Sequence, residues 1–104
     1  MTAPLEKDPA IVRVLERLRE QLGEAFDTVD HWESDLCAVG IASPRNHGVL
    51  VYISTFAEPP DRYHVELELP RVPGNPSPYE PAGILTELDF AQLVVIVREH
   101  LRRT

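Results

Sequence analysis

The sequence predicts an α+β fold, with a three- to four-stranded antiparallel meander between an N-terminal and a C-terminal helix. Two stretches carry an apolar residue every three or four positions, and the chain between them is rich in β-branched and alternating residues. Strands grouped between two helices are typical of antiparallel α+β proteins, because a parallel sheet needs a long crossover after each strand. A chain of 104 residues is long enough for one hydrophobic core, so we expect a single domain over residues 1–104.

The N-terminal helix is predicted from Pro9 to Phe26, preceded by a flexible tail over residues 1–7. Asp8 is a favourable N-cap residue, and Pro9 takes the first helical position, where an N–H group would have no partner. The apolar positions form one stripe, made up of Ile11, Leu15, Leu18, Leu22 and Phe26. A single stripe indicates a helix that packs on the sheet by one face.

Three strands are predicted over Leu36–Ser43, Val49–Phe56 and Tyr63–Leu69, and a fourth over Gly83–Leu88. The links between the first three are short and rich in turn residues, which favours antiparallel neighbours. The stretch 70–81 contains five prolines, so it is predicted to be an ordered surface loop and not a helix or a central strand.

The C-terminal helix is predicted from Phe90 to Arg102. Asp89 stands at its N-cap with Gln92 three residues later, which is the spacing of a capping box. Its apolar stripe consists of Phe90, Leu93, Val94, Val97 and Leu101. Because this helix also has only one stripe, we expect both helices on the same face of the sheet.

The opposite face of the predicted sheet is partly apolar. If Val65 and Leu67 face the helices, alternation turns His64, Glu66 and Glu68 to the other side. The same reasoning adds the neighbouring strands' residues Leu36, Ala38, Gly40, Ala42, Leu50, Tyr52 and Phe56. A face this apolar needs a cover, and three remain open: the Pro-rich loop, a second copy of the chain, or another protein.

The net charge of −7 argues against two classes of partner. Five acidic residues lie between positions 24 and 35, and no Lys or Arg occurs from there until Arg45. Nucleic acids and anionic membranes bind clustered Lys and Arg, so we expect neither as a partner. Long-range attraction favours a basic protein instead.

The sequence favours the cytoplasm. Cys37 is the only cysteine, so no intrachain disulfide can form, whereas small secreted domains often carry several. The first residues lack the apolar core of a signal peptide, and the longest apolar runs are far too short to span a bilayer.

No motif indicates a catalytic or cofactor site, and we predict no catalytic residue, no metal and no cofactor. The best metal candidate is His64, Glu66 and Glu68, which alternation places on one strand face, although an ordinary polar strand face has the same pattern. Cys37 lies among apolar residues and fits a buried structural cysteine better than a nucleophile. The five glycines are too scattered for a phosphate-binding loop or a dinucleotide fingerprint.

Two aromatic residues stand in unusual surroundings. Trp32 is flanked by acids in the segment from Asp30 to Asp35, where it would serve as a binding anchor or as a plug at the end of the core. Tyr79 lies in the Pro-rich loop, which would be either a recognition loop or a lid that the Tyr79 side chain holds in place.

In size, acidity and order of elements the chain resembles bacterial toxin-immunity proteins and type III secretion chaperones, although the latter usually have more elements. The resemblance implies a protein-binding role and carries over no residue. The leading hypothesis is a non-catalytic protein-interaction module with the contact residues Trp32, Glu33, Asp35, Leu50, Tyr52, Phe56, His64, Glu66, Glu68 and Tyr79. The alternatives are a small enzyme or ligand-binding domain using His64, Glu66 and Glu68, and a homodimer.

Overall fold

The computed structural model describes residues 7–29 and 34–103 and confirms the predicted α+β class. In chain order its elements are α1 (Pro9–Leu22), β1 (Asp27–Val29), β2 (Ala38–Ser43), β3 (Asn46–Ser54), β4 (Tyr63–Leu69), β5 (Glu80–Leu88) and α2 (Phe90–Leu101). Neither helix in these ranges is long and apolar enough to cross a membrane.

The strands form one open sheet in the order β1-β2-β3-β4-β5, and each strand is antiparallel to the next. The meander is therefore confirmed, but over the described residues it has five strands where the sequence predicts three or four. The added strand is β1, which has only three residues and hence no alternation to reveal it. At the other edge β5 begins at Glu80, so the predicted fourth strand is longer and the Pro-rich loop ends at residue 79.

The first helix ends at Leu22, four residues before the predicted end. Gly23 follows with a φ of 57°, a left-handed backbone conformation that interrupts the helix. Phe26 is still buried, but it reaches the core from the segment between α1 and β1. The stripe on the helix itself is formed instead by Ile11, Val14 and Leu18, which are all fully buried.

An aspartate precedes each helix, but the two aspartates form different hydrogen bonds. The Asp89 carboxylate accepts from the backbone N–H of Gln92 at 2.8 Å, and the Gln92 side chain accepts from the Asp89 N–H at 3.0 Å, which completes the predicted capping box. Asp8 also precedes its helix, but its side chain makes no capping bond. Its Oδ2 atom accepts instead from the thiol of Cys37 at 3.1 Å, and its N–H donates to the carbonyl of Leu36 at 2.9 Å.

The hydrophobic core lies between both helices and one face of the sheet, as predicted. Pairing sets Val39 opposite Ile53 and Ile53 opposite Val65, so these three share the core face. They belong to the same buried cluster as the stripes of α1 and α2. Each such side chain contributes about 1.5–3 kcal/mol through burial. Because side chains alternate along a strand, the residues between these core positions point to the opposite face of the sheet.

Candidate functional site

The face opposite the helices carries one row of side chains that crosses all five strands. The register pairs Val29 with Gly40, Gly40 with Tyr52, Tyr52 with Glu66 and Glu66 with Ile84. Residues directly opposite one another in an antiparallel sheet share a face. We call this face, away from the helices, the outer face of the sheet.

Much of the outer face over β2 and β3 is already covered within the chain. Ala38 and Ala42 are 0% exposed, and Gly40 between them is buried as well. Leu50 and Ser54 on β3 are each only 4% exposed. The part of the outer face that solvent reaches lies over β4 and β5 and at the end of β3.

An open depression of about 440 Å³ lies on this accessible part. Its lining residues are Asp35, Tyr52, Ser54, Phe56, His64 and Glu66. All of these except Ser54 belong to the contact set predicted from the sequence, so the fold brings together five residues that are spread over 32 positions. The lining holds two carboxylates and neither Lys nor Arg, which makes the depression attractive to a positively charged group.

Polar contacts connect the side chains around the depression. The Tyr52 hydroxyl donates to Oδ2 of Asp35 at 3.4 Å, and Nε2 of His64 lies 2.9 Å from Oε2 of Glu66. The Tyr52 and His64 rings meet edge to face, with their centroids 6.4 Å apart. Burial raises the pKa of the Tyr52 hydroxyl, the Asp35 charge acts in the same direction, and a hydrogen bond with Ser54 opposes both. The phenol therefore stays protonated and serves as a donor at neutral pH.

Asp35 is held in place by the turn that precedes β2. Its Oδ1 atom accepts from the backbone N–H of Cys37 at 3.1 Å, and its carbonyl accepts from Nζ of Lys7 at 2.7 Å. Lys7 is the only residue of the predicted N-terminal tail that lies within the described residues, and this bond attaches it to the turn. One acidic wall of the depression is thus fixed by contacts with both the turn and the N-terminal segment.

Exposed apolar side chains lie in the depression and near it. The N–H of Thr55 donates to the carbonyl of Cys37 at 2.9 Å, one residue beyond the last pair of β2 and β3, and the neighbouring Phe56 belongs to the lining. Phe56 is 74% exposed and Leu36 is 50% exposed. Ile84, at the β5 end of the row, is 68% exposed. Large apolar side chains in such a group characterise contact surfaces more than ordinary solvated ones.

The depression lacks the bonding pattern of a nucleophile activated by a base. His64 lies directly opposite Ser54, but no hydrogen bond joins the two side chains. The Ser54 hydroxyl is engaged by the N–H of Phe56 at 3.1 Å and by Tyr52, while the imidazole is engaged by Glu66.

Cys37 is the nucleophile candidate that the sequence offers, and its surroundings disfavour the reactive thiolate. The hydrogen bond to Asp8 raises the pKa of the Cys37 thiol, with burial acting in the same direction, so the thiol is protonated at neutral pH. The proposed metal set is not assembled either, since no three His, Cys, Asp or Glu side chains within residues 7–29 and 34–103 are grouped to hold an ion. His64 and Glu66 are together, but only as a pair.

The remaining predicted contact residues lie elsewhere. Leu50 is buried, so little of its side chain is open to a partner. Glu68 is on the outer face but does not line the depression, and Tyr79, 39% exposed, precedes β5 outside it. Trp32 and Glu33 lie outside the described residues.

Sequence reasoning missed two residues of this surface, Ser54 and Ile84. Alternation places Ser54 on the same face as Tyr52, but the predicted contact set does not include it because its side chain is small and polar. Ile84 shares the row because β5 pairs with β4, but that register shifts twice, so no alternation in the sequence marks it. The loop over residues 70–79 contributes nothing to the lining of the depression, although it was one of the predicted covers.

Comparison with known protein families, with curated proteins and with solved structures gives no match to this chain.

Proposed function

We propose that this chain is a non-catalytic protein-binding domain that contacts its partner through the outer face of the sheet. The contact surface comprises the depression, with the exposed Phe56 as its apolar part. The observation that carries the proposal is the 74% exposure of Phe56 in a depression whose lining also holds two carboxylates. An aromatic side chain left open next to fixed polar groups is the usual form of a binding anchor.

The partner's contact segment is basic. The chain has a net charge of −7, and the depression contains Asp35 and Glu66 without a Lys or Arg. A Lys or Arg side chain entering the depression would meet these carboxylates, while an apolar neighbour packs on Phe56. The same charge would speed association with a basic surface and slow it with an acidic one.

The proposed role is that of an immunity- or chaperone-like protein, which masks a basic surface of another protein. Such a role requires a rigid, preformed contact surface and no chemistry. The hydrogen bonds that hold Asp35, Tyr52 and His64 support a preformed surface, because the side chains need little reordering on binding.

The test is capture of the chain's partner from its own cells, followed by native mass spectrometry of the complex. We would compare the unaltered chain with Phe56→Ser and with Val95→Ser, a matched control that removes a 51% exposed apolar side chain from α2. The partner should be retained by Val95→Ser, lost with Phe56→Ser, and released as salt is raised. Circular dichroism and a melting curve would show that each variant is folded.

Two results would overturn the proposal. If Phe56→Ser retains the same partner as fully as Val95→Ser does, the surface is not the binding site. If the unaltered chain gives only a dimer of itself, and Phe56→Ser converts that dimer to a monomer, the surface serves self-association.

A further inference from the structure

A second cavity, of about 560 Å³, lies where the C-terminal ends of both helices meet the β2–β3 turn. Its size is within the range of small-molecule sites. Three arginines line it: Arg45 from the β2–β3 turn, Arg98 from the last turn of α2, and Arg102 at the C-cap of α2. Three guanidinium groups around one cavity form an unusual concentration of positive charge in a chain with net charge −7.

Within residues 7–29 and 34–103, these three guanidinium groups make no hydrogen bond or ion pair. Other arginines are engaged: Arg19 donates to two carbonyl groups, and Arg17 stacks on the ring of Phe90 at 3.8 Å. All three arginines of the cavity are exposed, and the C-terminal end of the α2 dipole favours Arg98 and Arg102. Their grouping with Arg45 around one cavity still leaves positive charge that an anion can neutralise.

We propose that this cavity binds the phosphate group of a small organic phosphate ester. Guanidinium groups match phosphate oxygens with paired hydrogen bonds, and Gln21 in the lining supplies a further polar group. Glu24 and the C-terminal ends of both helices also border the cavity, and their negative charge lowers its net positive charge. A phosphate monoester presents three acceptor oxygens, which three guanidinium groups can contact together, whereas a carboxylate presents only two.

The rest of the cavity explains why an ester fits better than free phosphate. Leu22, Ala25, Pro44 and Leu101 give it an apolar part, which an inorganic ion would leave unfilled. The buried hydroxyl of Ser43 accepts from the N–H of Arg45 at 3.2 Å and so fixes the turn that presents this arginine.

The site is independent of the proposed contact surface. Phe56 follows the end of β3, whereas Arg45 precedes its start, so the nine residues of β3 separate them by roughly 30 Å at about 3.3 Å per residue. A ligand in the cavity therefore leaves the contact surface open.

The test is titration of the full chain with phenyl phosphate, inorganic phosphate and benzoate, followed by two-dimensional NMR of the backbone amides. Phenyl phosphate should shift the signals around Ser43–Arg45 and Arg98–Arg102 and bind more tightly than the other two. Arg98→Gln should weaken it about tenfold, the size expected for a lost charge-assisted contact. Arg45→Gln should weaken phenyl phosphate binding to a similar extent. Because Arg45 lies in a turn outside the helix, this variant keeps the test possible if Arg98→Gln fails to fold.

The control is Arg13→Gln, which makes the same change in net charge at an exposed position of α1 that does not line the cavity. It should leave phenyl phosphate binding unchanged. If Arg13→Gln and Arg98→Gln weaken phenyl phosphate binding equally, the binding depends only on the net charge of the chain. That result would overturn the site. Benzoate or inorganic phosphate binding as tightly as phenyl phosphate would overturn the assignment to an organic phosphate.

Discussion

The Nε2 atom of His100 lies 2.8 Å from the carbonyl oxygen of Glu68, and this hydrogen bond joins the last turn of α2 to β4. His100 is only 3% exposed. Burial lowers the pKa of this imidazole and the Arg103 charge acts in the same direction, while hydrogen bonding to the Glu68 carbonyl opposes them. His100 is therefore neutral at pH 7 and donates through Nε2–H.

This burial predicts a loss of stability in mild acid. An imidazole in the unfolded chain has a pKa of about 6.5, and that of His100 in the folded chain is lower. Below about pH 6.5 the unfolded state binds more protons, so the free energy of unfolding falls with pH by up to about 1.4 kcal/mol per unit until the folded-state pKa is passed. Above pH 6.5 this group contributes no pH dependence. Urea unfolding at intervals between pH 8 and pH 5 measures the slope.

Two variants isolate the contribution of His100. His100→Gln keeps an N–H donor near the Glu68 carbonyl but does not titrate, so its stability should fall less steeply between pH 7 and pH 5. Arg103→Gln removes a positive charge that disfavours the imidazolium, so its slope should be intermediate. Glu99 lines the same cavity as His100 and Arg103 and is unchanged in both variants. A full slope in His100→Gln would show that other groups cause the acid sensitivity.

The helices and the three middle strands were predictable from the sequence because their signals are local. The capping box of Asp89 and Gln92 is complete within three residues, so its sequence pattern suffices. Asp8 has the same position and residue type, but its carboxylate bonds to Cys37, 29 positions away. A local pattern identifies where a helix begins, but it does not reveal a competing partner that only the fold brings near.

Part of the candidate site was also predictable from local sequence patterns. Tyr52, His64 and Glu66 fall together because the side-chain direction in a strand alternates with a period of two. The burial of Leu50 and the exposure of Ile84 depend instead on what covers a strand and on a shifted register between β4 and β5. Neither property is encoded in the alternation of a single strand.

We predict that Cys37 reacts slowly with alkylating reagents, although its side chain is partly exposed. The thiol donates to the Asp8 carboxylate, which raises its pKa and keeps the thiolate fraction small. Asp8→Asn removes the charge that favours the protonated thiol. The rate of reaction with iodoacetamide at pH 8 should then rise severalfold.

Asp35→Asn provides the comparison for this thiol. Asp35 raises the Cys37 pKa only through its charge and as the smallest contribution, so this variant should accelerate alkylation less than Asp8→Asn. In urea all three chains should react at the same rate, because the contacts are gone. Equal rates in the folded chains would mean that the Asp8 carboxylate does not control the thiol.

Arg19 holds the end of α1 through two kinds of contact. Its Nη1 atom donates to the carbonyl oxygens of Gly23 and Phe26, both at 2.8 Å, and its guanidinium carbon lies 3.8 Å from the centre of the Phe26 ring. Lysine keeps the charge but has no planar group that can stack on the ring while reaching both carbonyls. We therefore expect Arg19→Lys to lower the free energy of unfolding by about 1 kcal/mol.

Urea unfolding at pH 7.5 measures this effect, and Arg13→Lys is the matched control on the same helix. Arg13 is exposed and makes no contact of this kind with the described residues, so its replacement should change stability by less than about 0.5 kcal/mol. Equal stability of the two variants would contradict a specific role for the Arg19 guanidinium. A loss confined to Arg19→Lys would show that the contacts of its guanidinium with Gly23 and Phe26 stabilise the segment between α1 and β1.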